Sequence, residues 1–188
     1  MPLSLKIVIG STRPGRVGPK FADWVAGVAR AHGAFDVEVV DLDEVALPHL
    51  DEAAHPAMQK YEKEHTKAWA ATVAEADAFL FVTPEYDGFP PAVLVNALQA
   101  LAVEWRYKVA GIVSYGGVSG GLKGAQALRE LVGNLSMMSL PTVPVPFFSE
   151  FIGDDGVVVP NDKMDQGLGL LLGELEKWAN ALKPLHRG

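Results

Sequence analysis

Short, almost wholly apolar runs recur along the chain, and each is followed by a polar, glycine-rich segment and then by a helical stripe. Leu5-Lys6-Ile7-Val8-Ile9 stops at Gly10-Ser11-Thr12-Arg13-Pro14-Gly15-Arg16. Ala78-Phe79-Leu80-Phe81-Val82 runs into Thr83 to Pro91, and Val109-Ala110-Gly111-Ile112-Val113 into Ser114 to Gly121. Runs of this length with β-branched centres, bounded by turn formers, read as strands covered on both faces. Between them, Phe21, Trp24, Val25, Val28 and Ala29 mark one helix face that Gly33 can end. Trp69, Val73 and Ala76 mark a second helix, and an Ala/Leu/Val-rich segment from about Ala92 to Val103 a third. Ala125, Leu128, Val132 and Leu135 mark a fourth; Leu168, Leu171, Leu172, Leu175, Ala179 and Leu182 mark the last.

With Val37-Glu38-Val39-Val40 as a further strand and Pro141 to Val145 as a fifth, the alternation implies an α/β protein with a parallel sheet between two helical layers. Right-handed crossovers leave few topologies for five such strands. The pattern fits a flavodoxin-like three-layer sandwich of strand order 2-1-3-4-5, in which ligands sit beyond the carboxyl ends of the strands where the order reverses. A length of 188 residues suits one domain over residues 1–188.

Composition excludes several kinds of chemistry. The absence of cysteine removes disulfides, thiolate nucleophiles, Fe–S clusters and Cys-ligated zinc, so redox work requires an organic cofactor or a metal on other ligands. The five histidines show no helical His-x-x-x-His pair, and no metal site is expected. A net charge of −7 without a Lys/Arg cluster speaks against nucleic acid. No apolar run reaches the length of a membrane span, and the opening residues lack the layout of a secretory signal, so a cytoplasmic protein with small-molecule partners is expected.

Three loops then carry the chemistry, all on one sheet edge. In the first, Ser11 and Thr12 precede a helix start, and Arg13 and Arg16 add charge; together they form an anion site suited to a monophosphate. The P-loop ending and the Gly-x-Gly-x-x-Gly fingerprint are both missing. The solvated-turn alternative remains open on this loop alone. In the second, Pro84, Glu85, Tyr86, Asp87 and Gly88 put aromatic and acidic groups on a stiff backbone that can wall a flat ring. Glu85 and Asp87 also suggest acid/base chemistry, which requires a spatial separation that a sequence does not supply. In the third, Ser114, Tyr115, Gly116 and Gly117 begin a stretch whose main chain can lie against a ligand and support negative charge there.

With these motifs in order, the sequence resembles the NADPH-dependent FMN reductase family, which includes quinone, azo-dye and chromate reductases. The likeness rests on Gly10 to Arg16, on Pro84 to Gly88 with Asn96-Ala97-Leu98, and on Ser114 to Gly117 through Gly120-Gly121; it runs from about Ile7 to Met138. The resemblance implies bound FMN with NADPH or NADH as co-substrate and a small electron acceptor. It also implies that Ser11, Arg13 and Arg16 hold the phosphate, with Gly18 shaping the turn. Pro84, Glu85, Tyr86 and Asp87 would line the isoalloxazine, and Ser114, Tyr115, Gly116 and Gly117 its other side. No side chain is required as a catalytic nucleophile or base. The family usually has Asn where this chain has Asp87. A homodimer or homotetramer is implied, consistent with the nearly all-apolar segment after the second loop. Two other readings stay open: an FMN-binding electron carrier that oxidises no nicotinamide, and a flavin-free regulator binding another phosphorylated ligand.

Overall fold

The computed structural model describes residues 2–186. Five strands form one sheet of order β2-β1-β3-β4-β5: β1 (Leu3–Ile9), β2 (Phe35–Asp41), β3 (Ala78–Pro84), β4 (Val109–Tyr115) and β5 (Met138–Val145). All four pairings are parallel. The helices are α1 (Gly18–His32), α2 (Leu42–Val45), α3 (Glu64–Ala74), α4 (Ala92–Gln99), α5 (Leu122–Asn134) and α6 (Asp162–Leu182).

Alternation along the central strands divides the core in two. Leu5, Ile7, Ile9, Leu80, Val82, Val109 and Val113 face α1 and α6, packing on Phe21, Val25, Leu168 and Leu172. Val8, Phe79, Phe81, Ala110 and Ile112 face the other way, onto Trp69, Leu94, Leu98, Trp105, Leu128 and Val132. Every residue of β3 and β4 is buried, which is why these strands lack a polar alternation. Edge strand β2 does alternate, with Asp36 and Glu38 exposed.

Several boundaries differ from the sequence expectation. Ser114 and Tyr115 end β4 rather than open a loop, and Pro84 closes β3. The Ala/Leu-rich segment is helical only to Gln99; a separate 3-10 turn covers Val103–Trp105 and returns the Trp105 ring to the core, where its Nε1 donates to the Leu98 carbonyl at 3.0 Å. Ala76 is buried but lies beyond α3, and Leu182 is only half-buried. Strand β5 starts three residues early and carries Pro141 and Pro144 within it, a pattern tolerated because β5 is an edge strand.

Candidate functional site

Register brings the three loops level. Ile9 lies beside both Asp41 and Val82, and Pro84 lies beside Tyr115, so the chain leaves β1, β3 and β4 at one height. Between these exits is a cavity of about 550 Å3, within the range of small-molecule sites. Its walls are Arg13, Gly15, Arg16 and Val17 from the first loop, Pro84, Glu85, Tyr86 and Asp87 from the second, and Tyr115, Gly116 and Gly117 from the third. Phe148, from the turn after β5, closes one side.

The predicted residues take different parts in this arrangement. Arg13 is exposed, with its guanidinium carbon 6.0 Å from the Tyr86 ring centroid. Arg16 is committed elsewhere: its two nitrogens donate to the Asp41 carboxylate at 2.6 and 2.7 Å, and one also donates to the Ser11 carbonyl at 2.7 Å. That hydrogen-bonded pair with Asp41 holds the Arg16 guanidinium above its ordinary pKa range. Arg16 therefore braces the loop from within, and Arg13 is the cation left facing the cavity. Ser11 lies beneath the surface, fully buried, with its hydroxyl 3.4 Å from that of Tyr115. Thr12 is half-buried in the same loop and is not a wall residue.

Gly18 begins α1 behind this loop. A Cβ there would stand 2.5 Å from the Ser11 hydroxyl and 3.2 Å from that of Tyr115, so glycine permits the helix start to approach the loop. No side chain caps this helix and its first turn carries no acid, so its amino end stays electropositive.

In the second loop Tyr86 and Phe89 exchange both backbone hydrogen bonds, at 2.9 and 3.0 Å, across Asp87 and Gly88, whose φ angles are 52° and 87°. This is a two-residue hairpin of the kind that Asn-Gly and Asp-Gly both favour. The turn thus accounts for Asp87 through its backbone, with the side chain exposed. Gly88 sits at the tip, away from the walls. The Glu85 carboxylate turns the other way and accepts from the Lys123 and Gly124 amides at 2.9 and 3.2 Å.

Ser114 is buried, and its hydroxyl donates to the Gly120 carbonyl at 2.8 Å, so its side chain shapes the third loop rather than lining the cavity. Tyr115 stacks on Phe21 at 5.0 Å and meets Phe148 edge-on at 5.7 Å. Burial pushes its phenol up to about 12, which keeps it neutral at ordinary pH. Asp41 and Phe148 were not singled out from the sequence. Asp41 was detectable from its place at the carboxyl end of β2, beside the first loop in this strand order. Phe148 lies beyond the matched motifs and gave no such signal.

Other cavities include one of about 610 Å3 between β5 and α6 and one of about 930 Å3 around Asp77 at the opposite sheet edge. The walls of both lack residues of the three loops, and the site is assigned by its converging groups, not by volume. Among the described residues no group of His, Asp and Glu could hold a metal ion, and no helix is long and apolar enough to cross a membrane.

The chain is 41% identical over 164 residues to an NAD(P)H-dependent FMN reductase of Schizosaccharomyces pombe, covering 86% of this chain and 76% of that protein. It is 34% identical over 187 residues to an NAD(P)H-dependent FMN reductase of a Nectria species, covering 95% and 89%. Its fold matches that of a flavoenzyme NAD(P)H:(acceptor) oxidoreductase from Paracoccus denitrificans, with a TM-score of 0.76, 19% identity, and coverage of 96% of this chain and 98% of the other. A family model described as NADPH-dependent FMN reductase spans residues 4–150, and the chain belongs to that family.

Proposed function

We propose that the chain, acting as one domain, holds FMN in the 550 Å3 cavity and uses NADPH or NADH to reduce a flavin, a quinone or a similar small acceptor. One observation carries the reading. Of the helix starts that follow the three loops, that of α4 contributes no wall residue and that of α5 is already filled by Glu85, whereas that of α1 is uncapped beside Arg13, which has no ion pair among the described residues. The site therefore offers one seat for an anion, at the end where a phosphate belongs.

Arg13 and the amides of the loop that leads into α1 would bind the phosphate, with Ser11 and Gly18 fixing the loop and Arg16 bracing it through Asp41. The peptide groups of Pro84 to Asp87 and of Tyr115 to Gly117 would orient the ring edges, and Phe148 would keep water from one side. Bound FMN supplies the hydride and electron transfer. The protein contributes position, and no side chain in the cavity is needed as nucleophile or base.

Exposed apolar side chains stand near the mouth: Tyr86, Phe89, Val118, Leu122 and Phe147. Their grouping supports a homodimer or homotetramer that completes the site from a second subunit. A small-molecule acceptor, rather than nucleic acid or a membrane, suits the net charge of −7, and the cytoplasm suits a supply of reduced nicotinamide.

The test is the visible absorbance of the purified protein, loaded with FMN and freed of excess, during anaerobic titration with NADPH and then NADH. Loss of the bound flavin band with either donor supports the reading. Bound flavin that neither donor bleaches points to an electron carrier, and failure to retain flavin points to the regulatory alternative. A monomer by light scattering at micromolar concentration would remove the oligomer.

A further inference from the structure

We infer that Glu85 is a positioning residue that locks the second and third loops together and sets the charge around the ring between them; the inference rests on the FMN reading above. Helix α5 begins without a cap of its own. Its N-cap position is Gly121, at φ 80°, and its first turn has no acidic residue. The amides of Lys123 and Gly124 would be left without partners. The Glu85 carboxylate, 38 residues earlier than Lys123, accepts both at 2.9 and 3.2 Å. The Ser119 hydroxyl donates to the same carboxylate, at 3.3 Å to the nearer oxygen.

The approach also needs Gly124. A Cβ there would stand 3.1 Å from the Phe89 carbonyl group and 3.4 Å from the Glu85 Cα, so a side chain would press the helix away from the second loop. A glycine cap, a glycine in the first turn and a distant carboxylate thus form a single clamp.

The clamp has a mechanical and an electrostatic consequence. Pro84 to Asp87 form one wall of the cavity and Gly116 and Gly117 the other. Glu85 ties the first wall to the helix that follows the second, so the peptide groups facing the ring hold one relative position. The amino end of α5 carries about half a positive charge, and the carboxylate offsets it. Reduced FMN is more negative than oxidised FMN and gains no support from α5. Glu85 therefore keeps the flavin a stronger reductant than the two loops alone would make it.

Two substitutions in the full chain separate these effects. Glu85→Gln keeps an oxygen able to accept from both amides but removes the charge. Glu85→Asp keeps the charge and shortens the reach. The measurements are the affinity of the apoprotein for oxidised FMN, by flavin fluorescence quenching, and the midpoint potential of the loaded protein against reference dyes. For Glu85→Gln, oxidised-FMN affinity should stay within about threefold of the unsubstituted protein, while the preference for reduced over oxidised FMN rises by about three- to tenfold. Tenfold corresponds to about 30 mV for a two-electron couple. Glu85→Asp should bind FMN about tenfold more weakly with that preference within about threefold of its starting value. An unshifted potential in a flavin-binding Glu85→Gln overturns the electrostatic role, and an unweakened Glu85→Asp overturns the clamp. If the unsubstituted protein binds no FMN, the functional reading falls together with this one; if it binds FMN and is bleached normally while both variants match it, only the role of Glu85 falls.

Discussion

Replacing Gly18 by alanine tests whether the first loop is built by close packing against the start of α1. The added Cβ would meet the Ser11 hydroxyl at 2.5 Å, Ile9 Cγ2 at 3.0 Å and the Tyr115 hydroxyl at 3.2 Å. Ser11 is fully buried, and Ile9 and Tyr115 are each 3% exposed, so the displaced atoms have little room. Overpacking of this kind costs about 1–3 kcal/mol, while alanine regains at most about 1 kcal/mol of helix propensity. A net loss of about 1–2 kcal/mol follows, or roughly 2–8 °C in Tm for a chain of this size. Gly27, in the same helix, has nothing within 4 Å of its added Cβ. Gly27→Ala should therefore stabilise by about 0.5–1 kcal/mol. Urea unfolding followed by far-UV circular dichroism measures both. The double variant Ser11→Ala with Gly18→Ala removes the nearest clash and should recover at least half of the loss. Equal stability of Gly18→Ala and Gly27→Ala, or a double variant no better than the sum of its parts, would refute the packing argument.

Burial pushes the Lys108 ammonium down from 10.5 to about 8. Between those values the unfolded chain holds a proton that the folded chain has released, so this group makes stability rise with pH across that window. The full shift corresponds to about 3 kcal/mol, reduced to about 1–3 kcal/mol because Lys108 also donates to the Val73 and Ala74 carbonyls at the end of α3. Lys108→Met should flatten the stability profile from pH 8 to 10.5 relative to the unsubstituted protein, as read by urea midpoints; an unchanged slope would show that the lysine is not desolvated. Asp41→Asn removes the charge from a pair with exposures of only 17% and 14%, and should cost about 1–2 kcal/mol. If the loss is below about 0.3 kcal/mol at low salt, Arg16 does not brace the first loop.

The architecture was legible because β1, β3 and β4 are buried on both faces and leave almost wholly apolar runs, broken in β1 by Lys6. Their ends were harder to place. Ser114 and Tyr115 resemble loop residues in composition, yet the register with Thr83 and Pro84 extends β4 through them. Composition alone also overextended α4, because the segment after Gln99 turns to insert Trp105, a tertiary demand with no local signature. The loops that form the cavity stood out through glycine, proline and hydroxyl residues before helices. The direction of each side chain did not: Arg16 and Glu85 carry the charges that suggest ligand contact, and both are bound to partners elsewhere in the chain. Asp41 and the amides of α5 become their partners only once the sheet order is known.

Pro141 and Pro144 in β5 have a consequence for the chain in crowded solution. An edge strand is a template for another molecule's strand, because one row of its peptide groups lacks neighbours. Proline has no amide hydrogen to offer, and two prolines three residues apart interrupt any ladder that an eight-residue strand could extend. On the far edge, the exposed carboxylate of Asp36 opposes a second copy by charge, while that of Glu38 is paired with Lys6. The sheet thus ends at five strands by chemistry on both sides, and self-association is steered away from the endless strand-on-strand stacking that leads to fibres.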